Sequence, residues 1–191
     1  MRTRLINPFK YVAGTKALLI GLTAMLATAV IAFFSLTHFD GVLDEHYGAL
    51  DERYGLSTPF RWFLIDQLLA WLPAVIIFYL AGVLFSRSAV RFIDIAGTLA
   101  LARWPYIFLA LLNWVMPPTF PKDIHDIDRG LILYALITLL IMIWLIALFY
   151  NAFSTSTNLK KSRGTIIFIL ALLVAEALSK FVFYQLSPHL N

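Results

Sequence analysis

The stretch GLILYALITLLIMIWLIALFY, residues 130–150, carries no charged side chain. About 20 apolar residues suffice to take a helix across the hydrocarbon core of a bilayer, so this run predicts a membrane span. Four more runs of similar character lie at about 16–36, 61–85, 94–115 and 165–186. Open strands would leave backbone groups unpaired in lipid, so all five are expected to be helices. The expected fold class is an all-α membrane protein, a bundle of five transmembrane helices. Residues 1–191 are expected to form a single integral-membrane domain.

Composition points the same way. Hydrophobic residues make up 61% of the 191-residue chain and charged residues 14%, where soluble domains run at about 45–50% and about 25%. The mean hydropathy is +0.82. With no cysteine in the chain, disulfides, thiolate metal sites and cysteine nucleophiles are excluded. The net charge of +4 does not gather into an aromatic-interleaved basic patch, so no nucleic-acid partner is expected. The bilayer itself, and other membrane proteins, are the expected partners; oligomeric state is left open.

The distribution of charge predicts orientation. Arg2, Arg4, Lys10, Lys16, Arg87, Arg91, Lys160, Lys161 and Arg163 fall on one side of the proposed spans, with Asp94 at the edge. The other side holds Arg53, Arg61, Lys122 and Arg129 among eight acids, from Asp40 to Asp128. Cytoplasmic loops are the Lys/Arg-rich ones. The N-terminus is therefore expected in the cytoplasm and the C-terminus outside. The first span exceeds a signal peptide's h-region of about 7–15 residues, so its retention is expected.

Helix signals mark the ends. Ser57, Thr58 and Pro59 form a cap with proline entering the second span. Gly164 and Thr165 open the fifth, and Pro117 with Pro118 closes the third. Pro73 and Pro105 lie inside spans and are candidate kinks. Gly21, Ala24, Thr28, Ala32 and Ser35, like Ala171, Ala175 and Ser179, form small-residue stripes suited to close helix packing.

Asp66, Arg103, Glu176 and Lys180 are ionisable residues inside spans and form the expected intramembrane polar network. A charge at mid-bilayer costs about 2.5–3.5 kcal/mol on insertion scales, so partners are required. Glu176 and Lys180 stand four residues apart, acid first, the better order for a same-helix pair. At about 1.5 Å rise per residue, Arg103 and Glu176 reach similar depths, roughly 13 Å and roughly 16 Å from the cytoplasmic edge. The expected contacts are thus Glu176 with Lys180 and Arg103 with Glu176, while Lys180 either extends toward Asp66 or snorkels to water at the outer face. Such contacts serve either to clamp the bundle or to line a polar path for an ion or solute.

Between the first two spans, LDEHYG (43–48) is echoed by LDERYG (50–55). Leu43, Tyr47, Leu50 and Tyr54 recur at heptad spacing, predicting a short interfacial helix with its tyrosines at headgroup level. His38, His46, His125 and His189 are all expected outside the membrane. No HExxH-like spacing accompanies them, so neither a metal nor another cofactor is expected. The absence of a GxSxG motif, paired catalytic aspartates or a Ser–His set at one depth argues against an enzyme.

Three stretches carry a resemblance: INPFKYVAG (6–14), AGTLALARWPYIFLALL (96–112) with its mid-span Pro105, and IWLIALFYNAFSTSTNLKKSRGTIIFI (143–169). The chain resembles the Yip1 family, especially its compact bacterial members. That resemblance implies a five-span, non-enzymatic membrane protein with a cytoplasmic N-terminus, in a bacterial cytoplasmic (inner) membrane. Two roles follow as expectations. One is a scaffold or accessory protein acting through helix and lipid contacts. The other is a small transporter, or a subunit of one, using the intramembrane charges.

Overall fold

The computed structural model describes residues 7–47, 58–118 and 128–186. Its helices are α1 (Gly14–Ser35), α2 (Phe60–Phe85), α3 (Phe92–Ala102), α4 (Tyr106–Val115), α5 (Arg129–Thr157) and α6 (Lys161–Leu186). A 3-10 turn at Pro8–Lys10 precedes α1, and two short strands, β1 (Thr37–His38) and β2 (His46–Tyr47), follow it. Helices α3 and α4 together form one span, so five segments are long and apolar enough to cross a membrane. The fold is the expected helical bundle.

Its third span is the axis. Within the most apolar window of each span, 72% of residues are buried in α3–α4 but only 17% in α5. Helix α3 packs most extensively on α1, and α6 on α2. Lipid cannot drive helices together by the hydrophobic effect, so close backbone approach must supply the attraction. A Cβ on Gly21 would lie 2.4 Å from the Leu101 nitrogen, and one on Gly97 2.4 Å from the Gly14 carbonyl oxygen. Those two glycines set the α1–α3 crossing. In the expected stripes, Gly21, Thr28, Ala32 and Ser35 are buried, as are Ala171, Ala175 and Ser179. Around this core the outward residues are large and apolar, among them Leu19, Leu26, Leu72, Ile76, Leu140 and Leu173.

The two prolines act differently. Helix α2 runs unbroken through Pro73. Before Pro105 the helix ends at Ala102, and the chain passes through a tight turn before α4. Proline has no N–H to offer the Leu101 carbonyl and its ring crowds it. Instead the Trp104 N–H reaches Leu101 O at 3.3 Å, and Tyr106 N–H reaches Arg103 O at 3.0 Å. The break places Arg103 at mid-span.

Some expected boundaries move. Helix α5 continues through the Ser/Thr run to Thr157 because those hydroxyls find carbonyls: Thr157 Oγ1 donates to Phe153 O at 2.7 Å. Helix α6 starts at Lys161, earlier than Gly164. The cap position of α2 is Pro59 and has no side-chain bond. The expected interfacial helix is not formed over residues 43–47, where the chain bends and enters β2; Leu50 and Tyr54 lie outside the described residues. Pairing of His38 with His46 and Thr37 with Tyr47 takes these backbone groups into a ladder instead.

Candidate functional site: a polar core beneath the 36–47 segment

Leu36 ends α1 in the left-handed region (φ 52°) and turns the chain back over the bundle. The segment that follows is driven inward: Thr37, His38, Phe39 and Val42 are buried. Phe39 packs on Tyr106 with ring centroids 4.6 Å apart, and the His38 ring stacks on Phe63 at 4.3 Å. A segment buried in a bundle must have its backbone and polar side chains satisfied there. Four helices supply the partners.

From α2, Asp66 Oδ2 lies 2.7 Å from His38 Nδ1, both side chains 1% exposed. From α4, the Tyr106 hydroxyl donates to the Val42 carbonyl, and Asn113 Nδ2 donates to Thr37 Oγ1 at 3.0 Å. From α5, the Tyr134 hydroxyl donates to Asn113 Oδ1 at 2.7 Å. From α6, Glu176 Oε2 accepts the Leu43 N–H at 2.8 Å, and Lys180 forms an ion pair with Asp44. Gly41 admits this arrangement, since a Cβ there would stand 2.3 Å from Glu176 Oε1.

Arg103 lies deeper. It is 1% exposed; its Nη2 donates to Gln67 Oε1 at 3.3 Å and its guanidinium carbon sits 4.7 Å from the Tyr106 ring centroid. Its Nε and Nη1 have no hydrogen-bond partner among the described residues. No ion pair joins it to Glu176 among the described residues.

The sequence-predicted residues are therefore placed in one region, with different partners. Asp66 takes His38 rather than Lys180. Lys180 takes Asp44 rather than Asp66 or Glu176. Glu176 takes the Leu43 amide rather than Arg103 or Lys180. The correction has one physical cause: the 36–47 segment, expected in water, is folded into the bundle and offers nearer groups than the neighbouring spans do. His38, Gln67, Tyr106, Asn113 and Asp44 were not anticipated. The polar residues of α2 and α4 could have been found as Gln67 and Asn113, uncharged hydrogen-bonding side chains set in apolar spans. Nothing in the local pattern marks His38.

Two carboxyls of the segment sit in unusual surroundings. Burial is the main cause pushing Glu45 up to about 7, with Asp44 adding to it and the neighbouring Asn113 amide and Tyr134 hydroxyl opposing. Asp40 is also raised, first by burial and then by Asp44, against the pull of Lys180. Among the described residues, no cluster of three or more His, Asp or Glu residues is arranged to hold a metal. His125 and His189 lie outside them.

Five membrane-length helices, with a polar core closed over by a buried connecting segment, define a polytopic helical membrane protein. The Yip1 domain model matches residues 5–182, and the chain belongs to that family. No curated protein and no solved structure matches it.

Proposed function

We propose that this Yip1-family chain is a non-enzymatic membrane scaffold or accessory protein acting through helix and lipid contacts. The observation that carries the reading is the employment of Asp66, Glu176 and Lys180. Each binds the 36–47 segment, a use that holds the bundle shut over its polar core rather than opening it. Helix α5 supports a role in helix contacts. Its first half shows Ile132, Leu133, Leu136, Leu139 and Leu140 outward, with little of its own bundle against them. A face of that kind suits lipid or a neighbouring helix.

The same proposal sets the N-terminus in the cytoplasm of a bacterial cell and the C-terminus outside, in the inner membrane. The Lys/Arg-rich N-terminal stretch at 2–16 and the turns at 87–91 and 160–163 support that orientation. Reporter fusions at the two termini test it; both reporting the same compartment would refute it.

A second reading, a small ion or solute transporter, draws on Arg103. Its unpartnered Nε and Nη1, with Gln67 Nε2, His38 Nε2 and Asp66 Oδ1, are buried groups of one polar core without partners among the described residues. Buried polar groups ordinarily find partners, water included. Flux assays in proteoliposomes distinguish the two readings. The scaffold reading expects no gradient-driven ion or proton flux above empty liposomes. A flux abolished by Arg103→Gln in a protein that still folds would replace it with the transporter.

A further inference from the structure

At the opposite end of the bundle, the α2–α3 connection and the α5–α6 turn face each other across a cleft of about 330 Å³ lined by Ser86, Arg87, Ser88, Lys160, Lys161 and Arg163 among others. We propose that this cleft binds the phosphate of an anionic phospholipid headgroup. Three observations carry the proposal. The first is depth. Helix α2 ends at Phe85, α5 at Thr157, and α6 begins at Lys161. Where apolar helices of membrane length end, the headgroup layer begins, so the cleft opens at the level of lipid phosphates.

The second is charge. The lining contains four cations and no carboxylate. The nearby Asp94 is engaged by Arg91, with Nε and Oδ2 2.9 Å apart. Four like charges around one concavity repel one another, and an incoming anion relieves that repulsion. Basic pockets at the ends of membrane helices suit anionic headgroups.

The third is rigidity. Ser86 and Ser88 hydroxyls both donate to the Thr157 carbonyl, at 2.5 and 3.2 Å, lacing one wall to the other. Arg163 Nη2 donates to Phe85 O at 3.4 Å. The turn itself is compact: Asn158 and Lys161 have φ of 56° and 61°. A Cβ on Gly164 would come within 2.7 Å of the Leu159 carbonyl. The basic side chains thus rise from a backbone already in place, which lowers the ordering cost of binding. The cleft volume lies at the small end of the usual ligand-pocket range, about 300–1,000 Å³, suited to a headgroup.

The test is lipid retention by the purified full chain, measured by native mass spectrometry with phosphatidylglycerol and with phosphatidylcholine. The wild type is expected to retain phosphatidylglycerol preferentially. Arg87→Gln with Lys160→Gln should weaken retention by about fivefold for each charge removed. Lys160→Arg with Lys161→Arg should keep it, and Arg129→Gln at the other end of the bundle should leave it unchanged. Circular dichroism and melting temperature confirm that each variant is folded; among the described residues these exposed side chains hold no hydrogen bond or ion pair that would be lost. Equal retention of both lipids, an unchanged preference in Arg87→Gln/Lys160→Gln, or full displacement of phosphatidylglycerol by inorganic phosphate would each overturn the proposal. The last of these would mark the cleft as a site for free phosphate instead.

Discussion

Glu176 in the last helix accepts the backbone N–H of Leu43 at 2.8 Å, a bond spanning 133 positions of the chain. It joins the first connection to the final span. Lys180, one turn further along α6, reaches Asp44 rather than Glu176. The two charges that look like an intrahelical pair are two separate anchors for one segment.

That distinction is measurable. Glu176→Gln should lower stability by about 1 kcal/mol, because an amide oxygen replaces a charged acceptor for a backbone N–H. Lys180→Gln should cost about 0–1 kcal/mol, its ion pair being half exposed. In the double variant the losses should accumulate, read as melting temperature in detergent. A double variant more stable than Glu176→Gln alone would restore the intrahelical pair.

His38 and Asp66 form a wholly buried couple. Removing one partner of such a couple costs about 3–5 kcal/mol, whereas replacing both by apolar groups is often far milder. His38→Leu alone is therefore expected to destabilise strongly, by about 3 kcal/mol, and His38→Leu with Asp66→Leu to recover part of that loss. Chemical unfolding in mixed micelles measures both, and a double variant worse than the single would contradict the pairing.

Close packing of α1 on α3 depends on glycine at two positions. Gly21→Ala and Gly97→Ala each push a methyl against backbone 2.4 Å away, and neither backbone can swing aside as a side-chain tip would. Overpacking of this kind costs about 1–3 kcal/mol or more. Gly130→Ala, whose nearest neighbour would be 3.4 Å away, should leave stability unchanged. Melting temperatures of the three variants give the comparison; equal values would contradict the crossing.

Glu45 gives a pH dependence. Burial raises its pKa from 4.5 to about 7 in the folded chain, so the folded state binds its proton more tightly than the unfolded state. Its contribution to stability is then fully present below pH about 4.5 and is lost as pH rises toward about 7. Asp40, shifted the same way, adds to the trend. Thermal melts across this window should fall with rising pH, and Glu45→Gln should flatten the slope. A slope of the opposite sign would contradict the buried position of Glu45.

The bundle was legible because lipid allows few solutions: an apolar run such as 130–150 has little choice but a membrane helix. Pro73 and Pro105 were legible only as candidate kinks, and the sequence did not distinguish the proline that its helix absorbs from the one at which the span divides. The charged residues were also visible, as Asp66, Arg103, Glu176 and Lys180 stand out in apolar surroundings. Their partners were not. Residues 36–47 are as polar as an ordinary loop, and local composition cannot reveal that Phe39 and Val42 draw His38 and Asp40 inward with them. Heptad spacing of Leu43 and Tyr47 suggested a helix, yet pairing with Thr37 and His38 won because it satisfies backbone groups that burial would otherwise strand. Likewise STSTN, polar enough for a loop, stays helical through Thr157 because its hydroxyls find carbonyls: Thr157 returns to Phe153 O of its own helix, Ser154 reaches Leu159 O beyond the helix end, and Ser156 reaches Asp94 O of α3.

The central claim is that the 36–47 segment is docked into the bundle, and side-chain accessibility tests it most directly. The chain contains no cysteine, so single cysteines at Phe39, Val42 and His46 report without background. In detergent-solubilised protein, a membrane-impermeant maleimide should label His46→Cys readily, and Phe39→Cys and Val42→Cys only after unfolding. Equal, rapid labelling at all three positions would mean the segment lies in solvent, contradicting its anchoring by Asp66, Glu176 and Lys180.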